Sequence, residues 1–118
     1  MAALTLPKSA RLSRRADFTA VRERGDSWHG RCMVMGGWLS GNGTPASCGV
    51  ITSRKVGSAV ERSRARRRLR EIFRLHRGLL PAGLWMVVVA RRAAATAPFG
   101  ALSEEWRALA GRAGYLKS

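Results

Sequence analysis

Between Arg54 and Arg77 the chain places ten lysine or arginine side chains, at positions 54, 55, 62, 64, 66, 67, 68, 70, 74 and 77, against only Glu61 and Glu71. Ten minus two leaves +8, more than half of the net +15 carried by all 118 residues. Guanidinium groups in this number do one kind of chemistry: they donate paired N–H groups to phosphate or carboxylate oxygens. Placed on a helix at about 100° per residue, Ser63, Arg64, Arg66, Arg67, Arg70, Glu71 and Arg74 fill one arc. Ala65, Leu69, Ile72, Phe73, Leu75 and His76 fill the other. One face can therefore dock on a core while the other presents cations. An ordinary solvated helix mixes signs, with Glu four residues ahead of Lys or Arg. Here the charge is largely uncompensated, and its self-repulsion favours a polyanionic partner. Nucleic acid is the first expectation, with an acidic membrane surface or an acidic protein as the alternatives.

Covalent chemistry has no comparable support. The carboxylates Asp17, Glu23, Asp26, Glu61, Glu71, Glu104 and Glu105 form no spaced pair for acid–base work, and the sequence holds no GxSxG, HExxH or GxxxxGK[ST] motif. His29 falls at a strand entry, where a surface role is expected, and His76 reads as a hydrogen-bonded core histidine. Cys32 and Cys48 fit no zinc spacing with those histidines. They read as reduced thiols packed as small hydrophobes. The chain reads as a binder rather than a catalyst.

The elements that must position the basic helix follow from patterning. With 46% hydrophobic residues, the chain has enough apolar material for one core, and its length predicts one domain spanning 1–118. Residues 1–10 read as a mobile leader with no signal-peptide character. The longest apolar run, Leu84 to Ala90, is far shorter than the ~20 residues of a membrane span. No membrane partner is expected, and cytoplasmic residence follows as the default. A first helix is predicted from a Ser13 cap to about Arg24, with Asp17 in its first turn, Phe18 and Val21 on its apolar face and Gly25 past its end.

Trp28 to Leu39 reads as one strand, with Cys32, Val34 and Gly36 on one side and Met33, Met35 and Trp38 on the other. The turn cluster Ser40 to Pro45 predicts a hairpin to a returning strand, Ser47 to Ser53. Val56 to Ala59 links into the basic helix, and Pro81 and Gly83 break the chain after it. LWMVVVA, Leu84 to Ala90, is expected to be a central strand covered on both faces. A small-residue loop, Ala93 to Ala97, leads to a last helix opened by Pro98 and carrying Phe99, Leu102, Trp106 and Leu109 as a one-sided stripe. The fold class is thus α+β, a two-layer sandwich in the order α-β-β-(β)-α-β-α, with the basic helix in a strand–helix–strand crossover. The general rule makes such a crossover right-handed.

The residues RKVGSAVERSRARRRLREIFR, Arg54 to Arg74, closely resemble the signature of the bacterial ribonuclease P protein subunit. That family shows a basic pair ending a strand, then VG-x-AV, then Arg-Asn-Arg, then a basic helix with Leu-Arg-Glu. RLSRRADFTAVRERG, Arg11 to Gly25, is similar to its first helix, and VVVARR, Val87 to Arg92, to its last strand, so the likeness spans roughly positions 11 to 116. The resemblance implies a ribonucleoprotein endonuclease that removes the 5′ leader from precursor tRNA, with the RNA subunit performing the chemistry with Mg²⁺ and this chain contributing no catalytic residue. It implies a left-handed crossover, against the general rule, and no required protein partner.

By similarity, Arg54, Lys55, Arg62, Ser63, Arg64, Arg66, Arg67, Arg68, Arg70 and Arg74 then face the catalytic RNA. Arg11, Arg14, Phe18, Arg22, Met33 and Met35 map to a cleft for the single-stranded leader. Two departures stand out: Ser63 replaces the usual Asn, and Arg22 and Gly36 stand where the family carries cleft aromatics. The alternative reading is a general RNA-binding ribosomal or RNA-chaperone protein with the same electrostatics. A DNA-binding regulator inserting the basic helix into a major groove is a further rival.

Overall fold

The computed structural model describes residues 10–116. Its elements are α1 (Arg15–Arg24), β1 (Asp26–His29), β2 (Met33–Leu39), β3 (Ser47–Ile51), α2 (Ala59–His76), β4 (Leu84–Ala90), α3 (Ala93–Thr96) and α4 (Phe99–Arg112), with 3₁₀ turns at Arg54–Val56 and Arg77–Leu79. The expected leader falls outside the described residues except for Ala10, which is fully buried. The chain next to it pairs with the sheet through an Arg11–Cys48 bridge.

The four strands lie in the order β1-β2-β4-β3. β1 and β2 are antiparallel, β2 and β4 are antiparallel, and β3 and β4 run parallel. Two strand expectations are thereby corrected. Trp28 to Leu39 is not one strand: Gly30 to Cys32 turns the chain, closed by the Gly30 N–H on the Met33 carbonyl at 2.8 Å. The Glu105 carboxylate accepts the Cys32 N–H at 2.8 Å and holds that turn from α4. Nor does Ser40 to Pro45 close a hairpin, because β4 inserts between β2 and β3. The apolar run of β4 makes this favourable, since it supplies a strand that can be covered on both faces.

Alternation along the strands divides the sheet. Met33, Met35, Cys48, Met86 and Val88 face the main core, where they meet Phe73, Leu69 and Ile72 of α2 and Leu102, Trp106 and Leu109 of α4. Val87 and the partly buried Trp38 and Trp85 face the other way, against Leu12, Phe18 and Val21. α2, α3 and α4 thus share one face of the sheet, and α1 leans on part of the other. The fold is the expected α+β class, with α1 added on the reverse side. Ala93 to Thr96, expected as loop, closes one helical turn, and Leu75, expected on the apolar arc of α2, is 56% exposed.

The entry to α2 is built from short-range chemistry. Ser58 caps the helix through its hydroxyl, which accepts the Glu61 N–H, while the Glu61 carboxylate accepts the Ser58 N–H. This reciprocal box satisfies two donors that a helix start otherwise leaves open. Gly57 before it has φ 143°, and a Cβ there would lie 2.3 Å from Glu61 Oε1, so glycine is required. By contrast α1 starts from Arg14 with no side-chain cap, not from Ser13.

Candidate nucleic-acid interfaces

The arginines of α2 divide by what their guanidiniums already hold. Arg62 donates to the Gly57 carbonyl at 2.9 Å and Arg66 to the Thr52 hydroxyl at 2.6 Å. Arg74 forms a two-point pair with Glu71, at 2.9 and 2.6 Å. Beyond the helix, Arg77 donates to the Ala46 carbonyl at 2.8 Å. Arg68 donates to the carbonyl of Ala94 at 3.0 Å and to that of Ala97, and lies 5.9 Å from the Phe99 ring centroid. Arg64, Arg67 and Arg70 have no protein acceptor among the described residues. They recur every three residues, about 4.5 Å of helix rise per step, and form a short track of uncommitted donors.

Arg64 and Arg67 are exposed, as is Ser63 beside them, and Arg70 is half-buried. Burial lowers the Arg70 guanidinium from its ordinary value, and the neighbouring cations of Arg11 and Arg66 push the same way. Like charges gathered without a counter-ion favour an incoming anion. Arg54 and Lys55 are exposed in the 3₁₀ turn that precedes α2, where the Ser53 hydroxyl accepts the Lys55 N–H.

The second surface is a groove of about 1080 Å³ between α1 and the open part of the sheet. Val34, Gly36, Ile51, Val87 and Val89 form its floor, Phe18, Val21, Arg15 and Arg22 its α1 wall, and Asp26 and Ser27 its β1 rim. Phe18 reaches the floor because Gly49 has no side chain: a Cβ there would lie 2.5 Å from the ring. The other end of the same face is closed by Trp38 and Trp85, edge to face at 5.3 Å between centroids, with Arg24 over Trp38. The groove is therefore apolar below and cationic along one side, which suits stacked bases beneath a charged backbone.

Several expected site residues lie elsewhere. Met33 and Met35 are 0% exposed and belong to the main core, so they cannot line the groove. Strand parity is the reason: Met33 and Met35 point opposite to Val34, Gly36 and Trp38, so Trp38 also changes sides from the sequence reading. Arg11 and Arg14 are not among the groove-lining residues either. Arg11 sits near Arg70, toward α2, and Arg14 is exposed at the start of α1, where its carbonyl accepts the Asp17 and Phe18 N–H groups. Phe18 and Arg22 do line it. Sequence reasoning missed Arg15 and the floor of Val34, Val87 and Val89; both faces of β2 and β4 are apolar, so no local signal says which one meets the core.

One sheet carrying a cationic helix on one face and a half-covered apolar groove on the other defines a small basic α+β protein with two separate candidate surfaces. The Ribonuclease P family model matches residues 6–114. The ribonuclease P protein component of Symbiobacterium thermophilum is 39% identical over 112 residues, covering 95% of this chain and 97% of that protein. That of Acidothermus cellulolyticus is 42% identical over 110 residues, covering 91% and 90%. Among solved structures, the RNase P protein from Thermotoga maritima matches with a TM-score of 0.76 at 29% identity, covering 86% of this chain and 96% of that one. A Staphylococcus aureus RNase P protein mutant matches with a TM-score of 0.84 at 25% identity, covering 92% of each chain. The chain belongs to the ribonuclease P protein family.

Proposed function

We propose that this chain is the protein subunit of a ribonuclease P ribonucleoprotein and works as a two-surface adaptor. The track of Arg64, Arg67 and Arg70 docks the catalytic RNA, with Arg54, Lys55, Arg62, Ser63 and Arg66 at its margins. The Phe18 groove holds the single-stranded 5′ leader of precursor tRNA, Arg15 and Arg22 meeting its phosphates. The observation that carries this reading is the placement of the two surfaces on opposite faces of one sheet, which lets one small protein touch two RNAs at once. Holding the leader raises affinity for precursor over mature tRNA, so product leaves while substrate stays.

No three Asp, Glu, His or Cys side chains converge among the described residues, and in the groove Asp26 is the single carboxylate beside Arg15 and Arg22. The residues thus do not fit a protein-built Mg²⁺ site, and in this proposal the Mg²⁺ that cleavage needs is held by the RNA subunit. Guanidiniums that neutralise RNA phosphates lower the Mg²⁺ concentration at which that RNA functions. No helix among the described residues is long and apolar enough to cross a membrane, and the expected setting is the cytoplasm.

The test is reconstitution with a bacterial ribonuclease P RNA at low Mg²⁺, following 5′ cleavage of a precursor tRNA. Cleavage needing both components is the expected result. No stimulation, together with equal binding to unrelated RNAs, would favour the ribosomal or chaperone reading. Phe18→Leu should lower affinity for precursor and leave mature tRNA untouched; equal losses would remove the groove from the account.

A further inference from the structure

The resemblance places Arg68 on the RNA-facing surface, but its guanidinium is already committed. Two of its nitrogens hold the carbonyls of Ala94 and Ala97, and its cationic plane lies over Phe99. These contacts tie α2 to α3 and to the residues that start α4. Beside the tie lies a shallow crease of about 340 Å³ lined by Arg64, Arg67, Arg68, Ala95, Thr96 and Ala97. The carbonyls of Ala94 and Ala97 held by Arg68 are strong acceptors, and a free one would draw a neighbouring guanidinium inward. Glu61, whose charge reaches Arg92 and Arg64, already has one carboxylate oxygen engaged by the Ser58 N–H.

We propose that the α2–α3 crease is a subsite for a single phosphate group, with Arg64 and Arg67 as its donors and Arg68 as its positioning residue. Arg68 does not touch the phosphate. It occupies both carbonyls with one planar fork and pins α3 as the wall of the crease. Arg64 and Arg67 then keep their N–H groups pointing outward. The inference deepens the RNA-docking proposal and rests on it for the identity of the ligand. Geometry decides the type of residue needed at 68. Two carbonyls taken by two nitrogens of one rigid group is a match for guanidinium, whereas an ammonium is a point donor.

Two measurements test the assignment. In the first, RNA-subunit affinity is measured for Arg68→Lys and Arg68→Met. A positioning role predicts that both weaken binding to a similar extent, about tenfold, because each loses the two-point clamp. If Arg68 instead contacts RNA directly, Lys keeps most of the affinity while Met lowers the salt slope by about 0.7–0.9. That graded pattern, or no change in either variant, overturns the proposal. In the second, inorganic phosphate is titrated into the wild-type protein and the arginine side-chain N–H resonances are followed by NMR. Shifts at Arg64 and Arg67 with Arg68 unmoved are expected, and a shift centred on Arg68 overturns the assignment. This arm needs no RNA and no folded variant. Failure of the wild-type protein to bind ribonuclease P RNA would therefore remove the docking proposal while the phosphate titration still decides the subsite.

Discussion

Replacing Arg64, Arg67 and Arg70 together by Gln tests the division of the basic helix most directly. These are the three α2 arginines with no protein acceptor among the described residues, whereas Arg62, Arg66, Arg68 and Arg74 each hold one. Each phosphate neutralised contributes about 0.7–0.9 to the slope of log affinity against log salt. With Arg64 and Arg67 sharing one phosphate and Arg70 meeting a second, the two phosphates account for a slope change of about 1.4–1.8. Between 50 mM and 200 mM salt, roughly a fourfold change, the wild-type protein should lose about 7–12-fold more affinity than the variant. Arg74→Gln is the internal control, because its charge is already matched by Glu71 at 2.6 Å and its slope change should be well under one unit. Stability separates binding from folding. Losing three like charges, one of them pressed by Arg11 and Arg66, should leave the melting temperature unchanged or raised. The assay is filter binding or anisotropy with the RNA subunit at four or more salt concentrations. An unchanged slope in the triple variant, or an equal change in Arg74→Gln, would refute the idea that internal hydrogen bonding sorts these arginines.

Three further outcomes follow from the geometry. Gly49→Ala puts a methyl group 2.5 Å from the Phe18 ring. It should cost about 1–3 kcal/mol and weaken binding of a single-stranded leader oligonucleotide as Phe18→Leu does; full retention of both would show that the ring does not depend on that seat. The Ser58 hydrogen bonds hold the Glu61 carboxyl below the ordinary carboxylate range. A depressed folded value stabilises above the unfolded pKa and stops doing so as pH falls through the folded one. Wild type should therefore exceed Glu61→Gln in melting temperature near neutral pH and converge with it in acid, and a pH-independent gap would contradict the box. Burial pushes the Cys48 thiol up to about 12 and raises Cys32 as well. Neither should react with a disulfide reagent at about pH 8 until the protein is unfolded; rapid labelling of the native protein would mean that the core opens.

Much of the helix chemistry was local and therefore legible in the chain. The α4 stripe, buried at Leu102, Trp106 and Leu109 though not at the 40% exposed Phe99, and the apolar arc of Ala65, Leu69, Ile72 and Phe73 each depend on residues within a few turns of one another. A period of 3.6 reports them without reference to any other element. The +8 segment likewise declares a polyanion partner from composition alone. The hydrogen bond expected of His76 is local too: its Nδ1 lies 2.8 Å from the Ile72 carbonyl one turn earlier, while the ring, packed on Trp106, is half-buried rather than in the core.

Tertiary structure decided what depended on distant residues. Nothing between Trp28 and Leu39 distinguishes one strand from two, because the turn at Gly30 to Cys32 is held from outside by Glu105. Shifting strand parity by one residue exchanges core and groove, and both faces of β2 and β4 are apolar, so the pattern could not say that Met33 and Met35 point inward. The insertion of β4 between β2 and β3 is a pairing across more than thirty residues, invisible to local rules. The fate of each arginine was hidden in the same way. Arg68 and Arg64 are alike as letters, and only the docking of α3, which presents the carbonyls of Ala94 and Ala97, ties one inward and leaves the other free to meet an anion.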